Sequence, residues 1–162
     1  MHNGYALCTR AGLDAIAVHL RTLPSDQIDI LRGKLRIGLH SDVAVTDAEA
    51  EQLPLVSQAF CPALPVAYTR VQSAHWRPFA SLVLEAAYEA TMLAAVLNKQ
   101  RGASNVVLLT LLGGGAFGND DNWIHAAIRR ALSMISGFDL DVKLVSYGEP
   151  SRATQQMVKD FG

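Results

Sequence analysis

The amino-acid sequence predicts an α/β protein with helices on both faces of a sheet. Three observations carry that reading. Segments of strand period alternate with segments of helical period along the chain. The run of residues 106–112 reads as continuously apolar rather than alternating, as expected of a central strand covered on both faces. That run enters Gly113-Gly114-Gly115-Ala116-Phe117-Gly118-Asn119, after which Asp120-Asp121 opens a helical pattern. In open α/β sheets, ligands sit outside the carboxyl ends of the strands, where this loop falls.

Taken in order, residues 11–23 place Leu13, Ile16, Ala17 and Leu20 at helical spacing, and Pro24 stops them. Ser25-Asp26 then caps a short helix through Leu31 that Gly33 ends. Residues 35–39 and 43–46 alternate at strand period, with a bulge or turn at His40-Ser41-Asp42. Residues 56–60 read as a buried strand, and Pro62 and Pro65 make 61–68 an irregular loop. Pro78 opens the longest helix, to about Asn98, with Trp76 and Phe79 stapling its start to the core. This helix is apolar nearly all round, which predicts burial on more than one side. A strand follows over 105–112, then a helix over 120–135 and a last strand over 141–147. The organisation is one domain over residues 1–148 with a polar tail over 149–162.

Composition narrows the function classes. At 162 residues and 50% hydrophobic, the chain can bury a substantial core. The 14 basic side chains are scattered against 15 acidic ones, so no nucleic-acid surface is expected. Cys8 and Cys61 form no CxxC pair and are too few for a disulfide framework. With no charged leader before an apolar segment, a cytoplasmic protein is expected. Glu85 and Glu89 interrupt the apolar run 82–97, which argues against a membrane span. No HExxH and no paired Cys/His signature occurs, so neither a metal nor a cofactor is expected.

The glycine loop carries the chemistry. Glycine allows positive φ and close backbone approach, and a loop feeding a helix N-terminus aims N–H groups at an anion. It lacks the GK[ST] of a P-loop and the spacing of a dinucleotide fingerprint. Gly113, Gly114, Gly115 and Gly118 are the candidates for diphosphate contact. Ala116 lies in the same loop, and Phe117 is either a plug beneath it or a ring against a ribose. Asn119 is the simplest N-cap of the following helix, with a ribose contact as the alternative. Asp120 and Asp121 favour the helix terminus, and an acid there could also hold water at an anomeric carbon. Glu85 and Glu89, one helical turn apart, read as a solvated stripe. His40, His75 and His125 read as surface or turn positions.

From Leu84-Glu85-Ala86-Ala87-Tyr88-Glu89-Ala90-Thr91 through the strand to Leu111-Leu112-Gly113-Gly114-Gly115-Ala116-Phe117-Gly118-Asn119, the chain resembles the carboxyl half of a macrodomain. The resemblance is to the divergent branch related to poly(ADP-ribose) glycohydrolase, and it extends over about residues 56–147. It implies a three-layer α/β/α mixed sheet and a loop wrapping the diphosphate of ADP-ribose. Met1-His2-Asn3-Gly4-Tyr5-Ala6-Leu7 would match the first ligand loop, which puts Asn3 at the distal ribose. An upstream strand-helix-strand, with the acidic residue that grips the adenine, is then missing, as is the adjacent-glutamate signature of the glycohydrolase. The resemblance also implies an aromatic at the end of the last strand, here Tyr147, near the ligand.

Two function classes stay open. One is a hydrolase that removes ADP-ribose from proteins, with Asp121 and Asp120 as the candidate catalytic acids. The other is a non-catalytic reader of ADP-ribose or ADP-ribosylated protein. An inactive fragment of a longer macrodomain protein is the bland alternative.

Overall fold

A computed structural model describes residues 3–161. The chain is mixed α/β, and as far as β4 its elements follow the expected alternation. Helix α1 spans Arg10–Thr22, with the Thr9 hydroxyl accepting from the Gly12 amide as its N-cap. Helix α2 spans Ser25–Arg32, and the hairpin of β1 (Gly38–Ala44) and β2 (Leu55–Phe60) follows. The long helix α3 spans Ser73–Gln100, and β3 (Val106–Thr110) leads through the glycine loop into α4 (Asp121–Met134). Strand β4 (Asp141–Val145) and helix α5 (Arg152–Phe161) complete the order.

The strands form two separate two-stranded sheets: β1 antiparallel to β2, and β3 parallel to β4. The register of β1 slips between His40 and Val43, the bulge expected there, and Asp42 takes a φ of 55° in it. Two expectations about the strands are corrected. Strand β2 was expected to be buried, yet all its residues are exposed, because its extensive packing is with β1 alone. Strand β3 was expected to be central, yet it pairs on one edge only and alternates in burial, with Val107 and Leu109 inside.

The core lies between α3 and α4, the most extensively packed pair of elements, with α1 added on α3. Trp76, Leu84 and Met92 of α3 meet Ile124 and Ile128 of α4 there, joined by Leu13 and Met157. By length and composition α3 could cross a membrane. In this fold it is the central helix, with α1, α2 and α4 packed on it. It starts at Ser73, ahead of Pro78, which lies inside it. Trp76 in the first turns is completely buried, and its Nε1 has no partner among the described residues.

Three further expectations change. Glu85 and Glu89 are not a solvated stripe. Arg32 donates to Glu85 at 2.8 and 2.6 Å and to Asp29 at 2.6 Å, while Arg130 pairs with Glu89 and, at 2.7 Å, with Asp29. This network ties α2, α3 and α4 together. His125 is buried, with its Nε2 3.1 Å from the Thr154 hydroxyl. Residues 149–162, read as a polar tail, contain α5, which buries Thr154 and Met157 against α4.

Candidate functional site at the glycine loop

Tyr88 builds the entrance to the loop. Its hydroxyl donates to the Thr110 carbonyl at 2.7 Å and accepts from the Leu112 amide at 2.8 Å. Burial pushes this hydroxyl up to about 12, against the lowering effect of the Leu112 bond. The end of β3 is therefore pinned to α3 where the chain leaves the sheet.

Beyond Leu112 the glycines divide into two groups. Gly113 has φ 77° and Gly118 has φ 69°. A Cβ on Gly113 would lie 2.8 Å from the Ala63 Cβ and from the Asn119 amide nitrogen, and one on Gly118 would lie 2.8 Å from the Ala67 Cβ. Both glycines thus have a packing reason: they let the loop lie against residues 61–68. Gly114 has φ −66°, so it is not held by conformation, and its Cβ would approach the Leu111 carbonyl at 3.2 Å. Gly115 has φ 54° with open space beside it. Its conformation needs glycine, and no neighbour requires the missing side chain.

The amide hydrogens divide differently from the side-chain spaces. Gly114 donates to Leu111, Gly118 to Gly115 and Asn119 to Gly113, which closes the loop on itself. Among the described residues, the N–H groups of Gly113, Gly115 and Ala116 have no acceptor within the chain. They belong to the loop that leads into α4, a helix N-terminus whose dipole favours an anion.

Asn119 does not cap α4. It is 4% exposed, and its amide nitrogen donates to the Leu64 and Gly113 carbonyls, both at 2.8 Å. A flipped amide would set oxygen against oxygen at both, so the orientation is determined by these partners. Its Oδ1 is buried without a partner. The N-cap is Asp120, whose carboxylate accepts from the Asn122 amide at 2.9 Å. Asp121 is exposed in the first turn, and its carboxylate makes no hydrogen bond or ion pair among the described residues.

Phe117 is half-buried at the centre of an aromatic group that the local sequence did not announce. Its ring centroid is 6.1 Å from Tyr5 and 5.5 Å from Tyr68, which are 5.1 Å from each other, all in edge-on arrangements. Tyr5 and Tyr68 are 39% and 46% exposed, so the group forms a surface beside the glycine loop. Asn3, exposed and at φ 49°, makes a turn with Gly4 just before Tyr5. The chain start, the 61–68 segment and the glycine loop thus meet. Tyr147, which the resemblance puts near the ligand, is fully exposed past the end of β4. Cys61, half-buried, lies 3.1 Å from the Thr91 hydroxyl on α3.

The fold and this site define a mixed α/β protein with an exposed glycine loop at a strand-to-helix junction. Comparison with protein-family models, with curated proteins and with solved structures found no match. The functional reading therefore stands on residues and geometry.

Proposed function

We propose that this protein binds ADP-ribose, free or attached to protein, at residues 113–119, and hydrolyses the ADP-ribosyl linkage. The observation that carries this reading is the set of unpartnered amides at Gly113, Gly115 and Ala116, in the loop that leads into a 14-residue helix, with the exposed rings of Tyr5 and Tyr68 against Phe117 of the same loop. Amides and helix terminus suit a diphosphate, and the rings suit the flat faces of a base or ribose. Asn3, ahead of Tyr5, is the candidate for the distal ribose. The macrodomain-like three-layer arrangement belongs to the same proposal, supported by the resemblance of residues 84–119 and the junction of β3, loop and α4.

In the hydrolytic step, water bonds to C1 of the distal ribose as the C1–protein bond breaks. The bonding pair leaves with the protein atom, which takes up a proton. Asp121, whose carboxylate is free, accepts the proton lost by water. The diphosphate, held by backbone amides, stabilises the positive charge that develops at C1. Asp120 is committed to its cap, which leaves one free acid at the loop. A second reading, a reader that binds without cleaving, is favoured by the Asp121 carboxylate having no hydrogen bond among the described residues to orient it.

Calorimetry and thermal melting with ADP-ribose test the binding. Ligand at 100 times its dissociation constant adds roughly 2.7 kcal/mol of stability, and AMP adds far less. A folded protein that shows no shift with millimolar ADP-ribose refutes the site. With binding established, Asp121→Ala should keep affinity within a few-fold and slow release from a modified protein by about 10²-fold or more. Binding without any release by the unaltered protein decides for the reader.

A further inference from the structure

A groove of about 640 Å³ separates the hairpin from β3; it reaches Thr110 and Leu112 at the entrance of the glycine loop, and none of residues 113–119 lines it. Every residue of β2 and every residue of β3 lines it, on both sides of the pleat. Its walls are therefore strand edges rather than strand faces. Its floor is the small-residue side of α3, with Thr91, Ala94 and Ala95.

Both edges are chemically open. The Asn105 carbonyl accepts from the Asp141 amide, so alternation along β3 turns Val107 and Leu109 toward β4. The backbone groups of Val106, Leu108 and Thr110 then face the groove. Val106 N–H bonds to the Ser104 hydroxyl, and Thr110 C=O accepts from Tyr88 and Leu112. Both groups of Leu108, the Val106 carbonyl and the Thr110 amide have no partner among the described residues. On the opposite wall the Pro54 carbonyl accepts from the Val45 amide, so Leu55, Ser57 and Ala59 point away from β1. Their backbone groups are likewise without partners among the described residues. Edge strands are ordinarily blunted by charge or proline, and neither β2 nor β3 contains either. No charged side chain lines the groove.

We infer that this groove receives an extended, uncharged polypeptide strand from another protein, which joins β2 and β3 through main-chain hydrogen bonds. Only an extended chain presents donors and acceptors to two facing edges at once. The uncharged lining selects the occupant, because a charged side chain placed there would lose its hydration without finding a partner. The hairpin is held beside the groove at one end by Arg101 on Asp42, at 2.7 and 2.6 Å, and by the Ser57 hydroxyl on Asn98 at 3.3 Å. This inference does not depend on the nucleotide reading.

The test is amide hydrogen exchange of the full chain with a probe peptide. The peptide is acetylated and amidated, alternates valine and threonine over the five-residue length of β3, and has one lysine beyond each end for solubility. At about ten times its dissociation constant, it should slow exchange at Leu108, Thr110, Ser57 and Ala59 by about tenfold. The same peptide with aspartate at its centre should give no protection. Leu108→Pro removes a donor that the free protein does not use, so the melting temperature should hold while peptide protection is lost. Three results overturn the inference: no protection at millimolar peptide, equal protection by the aspartate peptide, or slow exchange at these amides before any peptide is added. The last would mean that the hairpin, or a second copy of the chain, already closes the edges, and size-exclusion chromatography separates those two causes.

Discussion

Replacing Tyr88 by phenylalanine removes one oxygen from a side chain that is 3% exposed and holds the glycine loop to the end of β3. Two hydrogen bonds disappear, one to the Thr110 carbonyl and one from the Leu112 amide. Those groups are not orphaned, because Leu112 also donates to Thr110 at 2.9 Å. The loss at neutral pH should therefore be net rather than full desolvation, about 1–1.5 kcal/mol. For a chain of this size that lowers the melting temperature by about 2–6 °C.

The same variant has a distinctive pH dependence. Burial raises the folded-state value from an ordinary 10.0 to about 12. Between those values the unfolded chain has lost the tyrosine proton and the folded chain keeps it. Fewer protons are then bound in the unfolded state, so stability falls as pH rises. The contribution is complete below about pH 10 and is lost as pH climbs through about 12, amounting to about 2–3 kcal/mol. Phenylalanine abolishes this component. Urea unfolding at pH 7, 9, 10 and 11 measures it as the difference between the two proteins, in which every other titrating group cancels. The deficit of the variant should shrink above pH 10. Parallel loss of stability in both proteins, or an unchanged midpoint at pH 7, would refute the argument.

The loop glycines should separate by role. Gly118→Ala meets the Ala67 Cβ at 2.8 Å as well as an unfavourable φ, so it should cost about 2–4 kcal/mol in urea unfolding. Gly115→Ala, with open space beside it, should cost about 1–2 kcal/mol and still fold, and on the proposed function it should weaken ADP-ribose binding; equal costs would show that packing does not distinguish the two positions. Arg32→Met leaves Glu85 in a partly buried site without its partner and should cost about 2–3 kcal/mol. Arg130→Met, on a side chain 41% exposed, should cost about 1 kcal/mol or less, and the reverse order would refute the reading of the network.

How much of the site was legible depends on the range of the interaction that builds it. The positions of the loop and of α4 follow from residues 106–121 alone, because a glycine run after an apolar strand and before an acidic helix start is a local signal. Asn119 was misread as a cap for a related reason: Asn119 and Asp120 are adjacent, and either suits an N-cap. The Leu64 carbonyl, 55 residues away, draws Asn119 inward and leaves the cap to Asp120. Tyr5 and Tyr68 were not singled out beside Phe117, since nothing in their local sequence marks them as neighbours.

Local patterning determined the mixed α/β class, the order of elements as far as β4 and the bulge at Asp42. It did so because periodicity and punctuation by glycine and proline act over a few residues, where chain connectivity already enforces proximity. Tertiary structure decided which faces are covered. An apolar strand such as β2 is the same sequence whether another layer lies over it or not, and here it stands exposed. Glu85 and Glu89 have the spacing of a solvated stripe until Arg32 and Arg130 arrive from other helices. His125 and the last residues look like surface until α5 folds back and buries Thr154 and Met157. Burial and charge pairing are properties of groups brought together from distant positions, and only the folded chain specifies those partners.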